Sequence, residues 1–208
     1  LLRNLVFYLV FYLGSIVVTS AALLSLPFGR DVFRRRVENW SGLQRWCVIN
    51  ILGCKLRIEG VLPDKPVLFA VKHESFFEAI AMAHTFDHPA GVAKAELFDL
   101  PFWGRAGLAY GLIPVARDQG ATALRAMLRA GKSAVGQGRS IVIFPEGTRV
   151  PHGEHRKLRS GFAGLYKLFR LPVVPVAVNS GPIYGRFWKP KGTITWHYGE
   201  MIEPGLPR

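Results

Sequence analysis

The stretch VLFAVKHESFFEAIAM (67–82) places His73 and Glu78 five residues apart in a mostly apolar segment. A neutral imidazole, whose unperturbed pKa is ~6.5, is suited to accept a proton near neutral pH. A carboxylate bound to its other ring nitrogen fixes the tautomer and stabilises the imidazolium that forms. These residue types are suited to a general-base pair, with Glu74 and Glu96 as alternative carboxylates.

The spacing constrains how His73 and Glu78 meet. On one regular helix, residues five apart differ in direction by about 140°. The pair therefore requires that His73 precedes a helix and that Glu78 lies in its first turns. The ordinary alternative is a strand end, a polar turn and a helix start, with a solvated histidine.

A second candidate is the stretch FPEGTR (144–149), which follows an apolar run. Gly147 lets the backbone approach a ligand closely, and Arg149 offers a planar fork that suits phosphate. Thr148 adds a hydroxyl, and Glu146 either binds a substrate hydroxyl or holds the loop. The alternative is a strand and turn with an ordinary surface arginine.

Strand-like and helix-like segments alternate from residue 53 onward, which predicts an α/β fold: a single domain with a mostly parallel central sheet flanked by helices. The predicted domain covers 53–208 and follows two membrane-associating helices in 1–52. Strands are expected to end in VKHES, PVAR and FPEGTR. Because ligands gather beyond the carboxyl ends of parallel strands, these endings predict one shared site.

The N-terminal segment 5–28 carries no charge and is long enough to cross a bilayer, which needs ~20 apolar residues. Four arginines follow it by residue 36, so the positive-inside rule places the rest of the chain in the cytoplasm. A signal peptide is the competing interpretation. In the next segment, Trp40 and Trp46 share a helical face that suits either a membrane interface or ordinary core packing.

The composition favours an anionic partner. Half of the 208 residues are hydrophobic, and 27 Lys and Arg against 14 Asp and Glu give a net charge of +13. Such a chain fits an anionic membrane or a phosphorylated substrate. No nucleic-acid-binding signature is legible. Cys47 and Cys54 lack a metal-binding spacing, which favours a reducing, cytoplasmic setting. His84 and His88 fit a polar helix end better than a metal site.

Four blocks in order resemble the glycerolipid acyltransferase family, and most closely its bacterial 1-acylglycerol-3-phosphate acyltransferases. His73 and Glu78 stand at the family's His-x4-Asp motif. The other blocks are KAELFDLPFWGRAGLAYGLIPVAR (94–117), FPEGTR and VPVAVNSG (174–181). Two residues depart from the family pattern, since Glu78 replaces aspartate and Lys72 replaces a frequent asparagine.

The resemblance implies a membrane-bound enzyme that moves a fatty acyl chain from acyl-CoA or acyl-ACP (acyl carrier protein) to the sn-2 hydroxyl of lysophosphatidate. The product is phosphatidate, for phospholipid biosynthesis. His73 would be the general base and Glu78 its partner, while Lys94, Arg117 and Arg149 would hold the acceptor phosphate.

Glu146, Gly147 and Thr148 would complete the substrate site, and no metal, cofactor or covalent acyl-enzyme is expected. The implied partners are membrane lipids, the lysophospholipid and the acyl donor, and the implied location is the cytoplasmic side of a bacterial inner membrane. Two alternatives stay open: an acyltransferase for another lyso-lipid, such as lyso-ornithine lipid, and a non-catalytic membrane-binding protein.

Overall fold

The computed structural model describes residues 1–115 and 120–206. Its α-helices are α1 (Leu2–Leu24), α2 (Arg30–Trp46), α3 (Phe77–Thr85), α4 (Trp103–Tyr110), α5 (Gly120–Gly136) and α6 (Ser160–Phe169). Its strands are β1 (Lys55–Glu59), β2 (Leu68–Val71), β3 (Ala90–Lys94), β4 (Ile113–Val115), β5 (Ile141–Ile143), β6 (Val173–Val178) and β7 (Thr193–Tyr198). Short helical turns cover Leu26–Phe28, Cys47–Ile51 and Ala95–Asp99.

The strands form one sheet in the order β1-β7-β6-β2-β5-β3-β4. All neighbouring pairs are parallel except β6 and β7, which are antiparallel. The predicted α/β domain with a mostly parallel sheet is therefore confirmed. Because β2 and β5 are parallel neighbours, the segments that follow them, with His73 and with Glu146, leave the same edge of the sheet.

Alternate strand residues supply the two hydrophobic cores. In β2, Phe69 and Val71 face the core under α1 and α3, while Leu68 faces the core under α5 and α6. This alternation is the ordinary pleat of a strand, in which successive side chains point to opposite faces. The sheet is thus covered by helices on both sides, as parallel strands require.

The N-terminal helices α1 and α2 pack onto the domain. Trp40 in α2 donates from Nε1 to Ser15 Oγ in α1 at 2.9 Å, and Ser41 Oγ donates to the carbonyl of Ile80 in α3 at 2.8 Å. Phe33 is fully buried between α2 and its neighbours, whereas Trp46 is half exposed. The two tryptophans predicted to share a helical face therefore lie in different environments. Trp40 packs against the core cluster, and Trp46 is open to solvent.

Helix α4 forms despite an unfavourable local sequence. Gly104 and Gly107 lie within it, and glycine is unfavourable in a helix interior. Packing explains why the helix forms there. A side chain at Gly104 would place its Cβ 1.8 Å from the carbonyl oxygen of Phe98, so only glycine lets α4 lie this close to the preceding turn.

Candidate active site

His73 and Glu78 meet as the spacing predicted. His73 follows β2, and α3 begins at Phe77, so Glu78 is its second residue. The imidazole Nδ1 lies 3.1 Å from Glu78 Oε1. When Nδ1 carries the proton, it donates to this carboxylate and leaves Nε2 as the acceptor.

The carboxylate of Glu78 is fully buried and surrounded by donors. The backbone amides of Glu74 and Ser75 donate to Oε1, the latter at 2.7 Å. The hydroxyls of Ser75 and Ser180 donate to Oε2 at 3.2 and 2.6 Å. Burial raises the pKa of Glu78, but hydrogen bonds from His73, Ser180 and the Ser75 amide outweigh burial and lower the pKa below its ordinary value.

Glu146, in the segment after β5, holds the loop that carries His73. Its Oε2 accepts the His73 amide at 3.0 Å, and its Oε1 accepts Lys72 Nζ at 2.7 Å. Phe144 stacks on the His73 ring, with the ring centroids 4.2 Å apart. These contacts tie the segment after β2 to the segment after β5. They also give Lys72, a departure from the family pattern, an ion-pair partner.

The alternative carboxylates lie elsewhere. Glu74 accepts the Gly181 amide at 2.9 Å, and its Oε1 lies 3.0 Å from His152 Nδ1. Glu96 is exposed in the turn that follows β3. In the structure, then, Glu78 is the carboxylate that binds the His73 ring.

His73 lines a cavity of about 760 Å³. Its inner part is apolar and includes Met82, Val92, Leu112, Ile143, Phe162 and Leu165. Lys94, Arg149 and Arg159 also line it, so positive charges accompany the apolar wall. Of the predicted phosphate ligands, Lys94 and Arg149 thus share the cavity of His73, while Arg117 lies outside the described residues.

The FPEGTR segment forms a tight turn along this cavity. Gly147 has φ +70°, a left-handed conformation that favours glycine, and its amide donates to the carbonyl of Phe144 at 2.9 Å. Gly147 and Thr148 both line the cavity. The Arg149 guanidinium lies over the Phe76 ring, 4.1 Å from its centroid. Glu146 therefore anchors the loop, while the three residues after it face the cavity.

The His73–Glu78 pair can accept a proton within this cavity, whose lining combines apolar side chains with basic ones. Sequence reasoning missed Ser75 and Ser180, whose hydroxyls hold Glu78, and Phe144, which stacks on His73. Ser180 lies in the fourth block quoted above, so the block itself was the available signal. Within 1–115 and 120–206, no cluster of three His, Cys, Asp or Glu side chains could hold a metal ion.

Comparisons with known proteins identify the family of this chain. The protein-family model described as "Acyltransferase" matches residues 54–179. The 1-acyl-sn-glycerol-3-phosphate acyltransferase of Pseudomonas aeruginosa is 31% identical over 196 residues, which cover 92% of this chain and 74% of the relative. The enzyme of that name from Helicobacter pylori is 30% identical over 161 residues, which cover 74% of this chain and 67% of the relative.

A solved structure shares the fold. The crystal structure of the 1-acyl-sn-glycerophosphate (LPA) acyltransferase PlsC from Thermotoga maritima superposes with a TM-score of 0.74 at 20% identity. The match covers all of this chain and 88% of that one. At this identity, the likeness concerns the fold alone.

Proposed function

The chain belongs to the acyltransferase family, and on that footing we propose that it transfers a fatty acyl chain from acyl-CoA or acyl-ACP to the sn-2 hydroxyl of lysophosphatidate. The observation that carries the proposal is the His73–Glu78 pair in a cavity with an apolar inner part and basic lining residues. Both relatives described above are named for acyl transfer to this acceptor.

The proposed reaction uses the Nε2 atom of His73 as the base. Nε2 takes the hydroxyl proton as the acceptor oxygen attacks the thioester carbonyl carbon, and Glu78 stabilises the imidazolium. The tetrahedral intermediate collapses, the carbon–sulfur bond breaks, and the proton passes from His73 to the departing thiolate. The acyl group moves directly between substrates, so no acyl-enzyme is required.

The lining of the catalytic cavity suits both the fatty acyl chain and the phosphate of the substrates. The apolar inner part suits a fatty acyl chain, because each buried methylene contributes ~0.8 kcal/mol. Lys94 and Arg149 suit the acceptor phosphate, and a charge-assisted hydrogen bond contributes ~1.5–3 kcal/mol. Replacing either residue with alanine is therefore expected to weaken use of lysophosphatidate by ~10–100-fold.

Membrane attachment is proposed to occur through α1. In the described part of the chain, α1 is the helix long and apolar enough to cross a membrane, and its face away from the domain is exposed. However, α2 packs along it and carries Arg30, Asp31, Arg34, Arg35 and Arg36, whose charges are costly inside a bilayer. We therefore place α1 in the plane of the cytoplasmic leaflet of the bacterial inner membrane.

A charge on the outer face of α1 tests this attachment without disturbing the core. Leu9 and Ile16 are 62% and 63% exposed. Leu9→Glu with Ile16→Glu is expected to release the protein from anionic vesicles in a sedimentation assay. Val61→Glu with Leu62→Glu is the matched control, because it adds the same charge at side chains that are 85% and 42% exposed on the loop after β1. Equal sedimentation of the two variants would contradict attachment through α1.

The reaction is tested with purified full-length protein, a panel of lyso-lipids and both acyl-CoA and acyl-ACP. Lysophosphatidate is expected to be the preferred acceptor, and His73→Ala is expected to abolish transfer while vesicle binding persists. Equal use of lyso-ornithine lipid would replace the proposed acceptor with another lyso-lipid. Vesicle binding without transfer to any acceptor would identify a membrane-binding protein instead.

A further inference from the structure

A second cavity, of about 1050 Å³, lies beside the catalytic one and has no role in the mechanism above. We name it the α1 groove, since residues of α1 line it together with the 181–189 loop. Phe76, Thr148 and Arg149 line both the α1 groove and the catalytic cavity. The two spaces therefore meet at these residues, beside the loop that carries His73, whose carbonyl accepts the Val150 amide at 2.8 Å.

The walls of the α1 groove differ in chemistry. Phe7, Phe11 and Tyr12 of α1, together with Trp40 of α2, supply an aromatic wall. Arg186, Lys189 and the His152–Glu74 pair also line the groove, and Arg149 lies at the junction. An apolar wall and a cationic side suit a molecule with one hydrocarbon chain and one anionic head.

Specific bonds hold the α1 groove in shape. The side chain of Asn4 exchanges two hydrogen bonds with the backbone of Lys189, at 2.8 and 3.1 Å. The buried Lys189 ammonium donates to the Tyr8 hydroxyl at 2.8 Å and to the Gly185 carbonyl at 2.9 Å. The Tyr8 hydroxyl in turn donates to the carbonyl of Phe187 at 2.9 Å. The first turns of α1 are thus fastened to the loop that closes the groove.

We propose that the α1 groove binds the lysophospholipid acceptor, with its single acyl chain along the aromatic wall and its phosphate at Arg149, which lines both spaces; Lys94 of the catalytic cavity and Arg186 of the groove supply further positive charge. This inference rests on the proposed function. Direct transfer requires donor and acceptor at the same time, so two hydrocarbon chains need two apolar spaces. The α1 groove supplies the second, and its junction with the catalytic cavity brings the acceptor hydroxyl toward His73. The inner part of the catalytic cavity then belongs to the donor chain.

Kinetic measurements on groove variants test the assignment. Arg186→Ala and Tyr12→Ala are each expected to raise the acceptor KM by about tenfold and to leave the donor KM and donor chain-length preference unchanged. Arg57→Ala removes the same charge on β1, and Val61→Ala removes an exposed apolar side chain outside both cavities. Both controls are expected to match the wild type. A rise in donor KM, or an unchanged acceptor KM in both groove variants, would overturn the assignment.

Photolabelling tests binding without turnover. A lysophosphatidate with a diazirine on its acyl chain, added to full-length protein without donor, is expected to label α1 between residues 7 and 15. Labelling confined to residues that line only the catalytic cavity, such as Met82 or Leu112, would overturn the inference while leaving the proposed reaction intact. If no lyso-lipid is acylated, the proposed function fails, and the labelled positions still report whether the groove binds a lysolipid.

Discussion

The segment after β2 contributes a carboxylate to each of two histidine–carboxylate pairs, and the two pairs differ in what surrounds them. His73 pairs with Glu78, and His152 pairs with Glu74. Both carboxylates are buried, so burial of the acid does not distinguish the pairs. The histidines do: the side chain of His73 is 16% exposed, whereas that of His152 is 52% exposed.

The two carboxylates also differ in the hydrogen bonds that they accept. Glu78 accepts from two backbone amides and two serine hydroxyls in addition to His73, which fixes both of its oxygens. Glu74 accepts from the Gly181 amide and otherwise meets a histidine that is half in water. A general base requires a ring that is oriented and enclosed beside its substrate. The contrast therefore supports the proposed catalytic role of the first pair, and we propose an architectural role for the second.

Among the variants that distinguish the two pairs, Glu78→Gln is expected to cause the largest fall in turnover. The amide oxygen can still accept from the backbone amides and the ring, while its NH₂ group can donate to rotated serine hydroxyls. The ring then stays oriented, but the imidazolium loses its counter-charge. We expect turnover to fall by ~10²–10⁴-fold, as for other orienting carboxylates, with little change in the acceptor KM. Steady-state kinetics measure the turnover and the acceptor KM. A fall in turnover of only a few-fold would contradict the different roles proposed for the two pairs.

Glu78 also gives the stability of the protein a specific pH dependence. A carboxylate whose pKa is lower in the folded state contributes stability above its unfolded pKa, ~4.3, and loses that contribution as pH falls through the folded value. The wild type should therefore lose stability relative to Glu78→Gln as the pH falls below ~4.3. Denaturant unfolding at pH 7 and pH 3 measures the difference. A difference that does not change with pH would contradict a lowered pKa.

The next effect in size is expected from Ser180→Ala. The Ser180 hydroxyl donates to Glu78 Oε2, and its removal leaves one buried acceptor with fewer partners, which costs ~1–3 kcal/mol. Because Ser180 acts through Glu78, kcat should fall by ~10-fold while both KM values stay near those of the wild type. Ser133→Ala, a serine on α5 outside both cavities, serves as the control. Unchanged kcat with lowered stability would make Ser180 a structural residue only.

The geometry of the His73–Glu78 pair was partly predictable from the sequence because it is local. Five residues separate His73 from Glu78, so the periodicity of α3 alone required the histidine to precede the helix. Ser180 is 102 residues from Glu78, and serine is too common a residue for one sequence to assign it. Similarly, the bonds between Asn4 and Lys189 join residues 185 apart, so the α1 groove emerges only when the chain is folded.

A smaller change in kcat is expected from Glu74→Gln, the corresponding substitution in the second pair. The glutamine carbonyl can still accept from the Gly181 amide, and what is lost is mainly the charge next to His152. A pair with one partner half in water contributes ~0–1 kcal/mol, so we expect kcat to change by less than about fivefold. Glu96→Gln, an exposed carboxylate in the turn after β3, is the matched control. A loss as large as that of Glu78→Gln would mean that both carboxylates serve His73.

The smallest effect is expected from His152→Ala. Its imidazole is half exposed, and exchanging its bond with Glu74 for water changes the free energy of the pair by ~0–1 kcal/mol. Because His152 lines the α1 groove and not the catalytic cavity, kcat should stay within about twofold of the wild type, and any change should appear in the acceptor KM. His155→Ala, on the same loop, is the control. If His152→Ala abolished turnover as His73→Ala is expected to do, both histidines would be required for the reaction, and the proposed difference between the two pairs would be wrong.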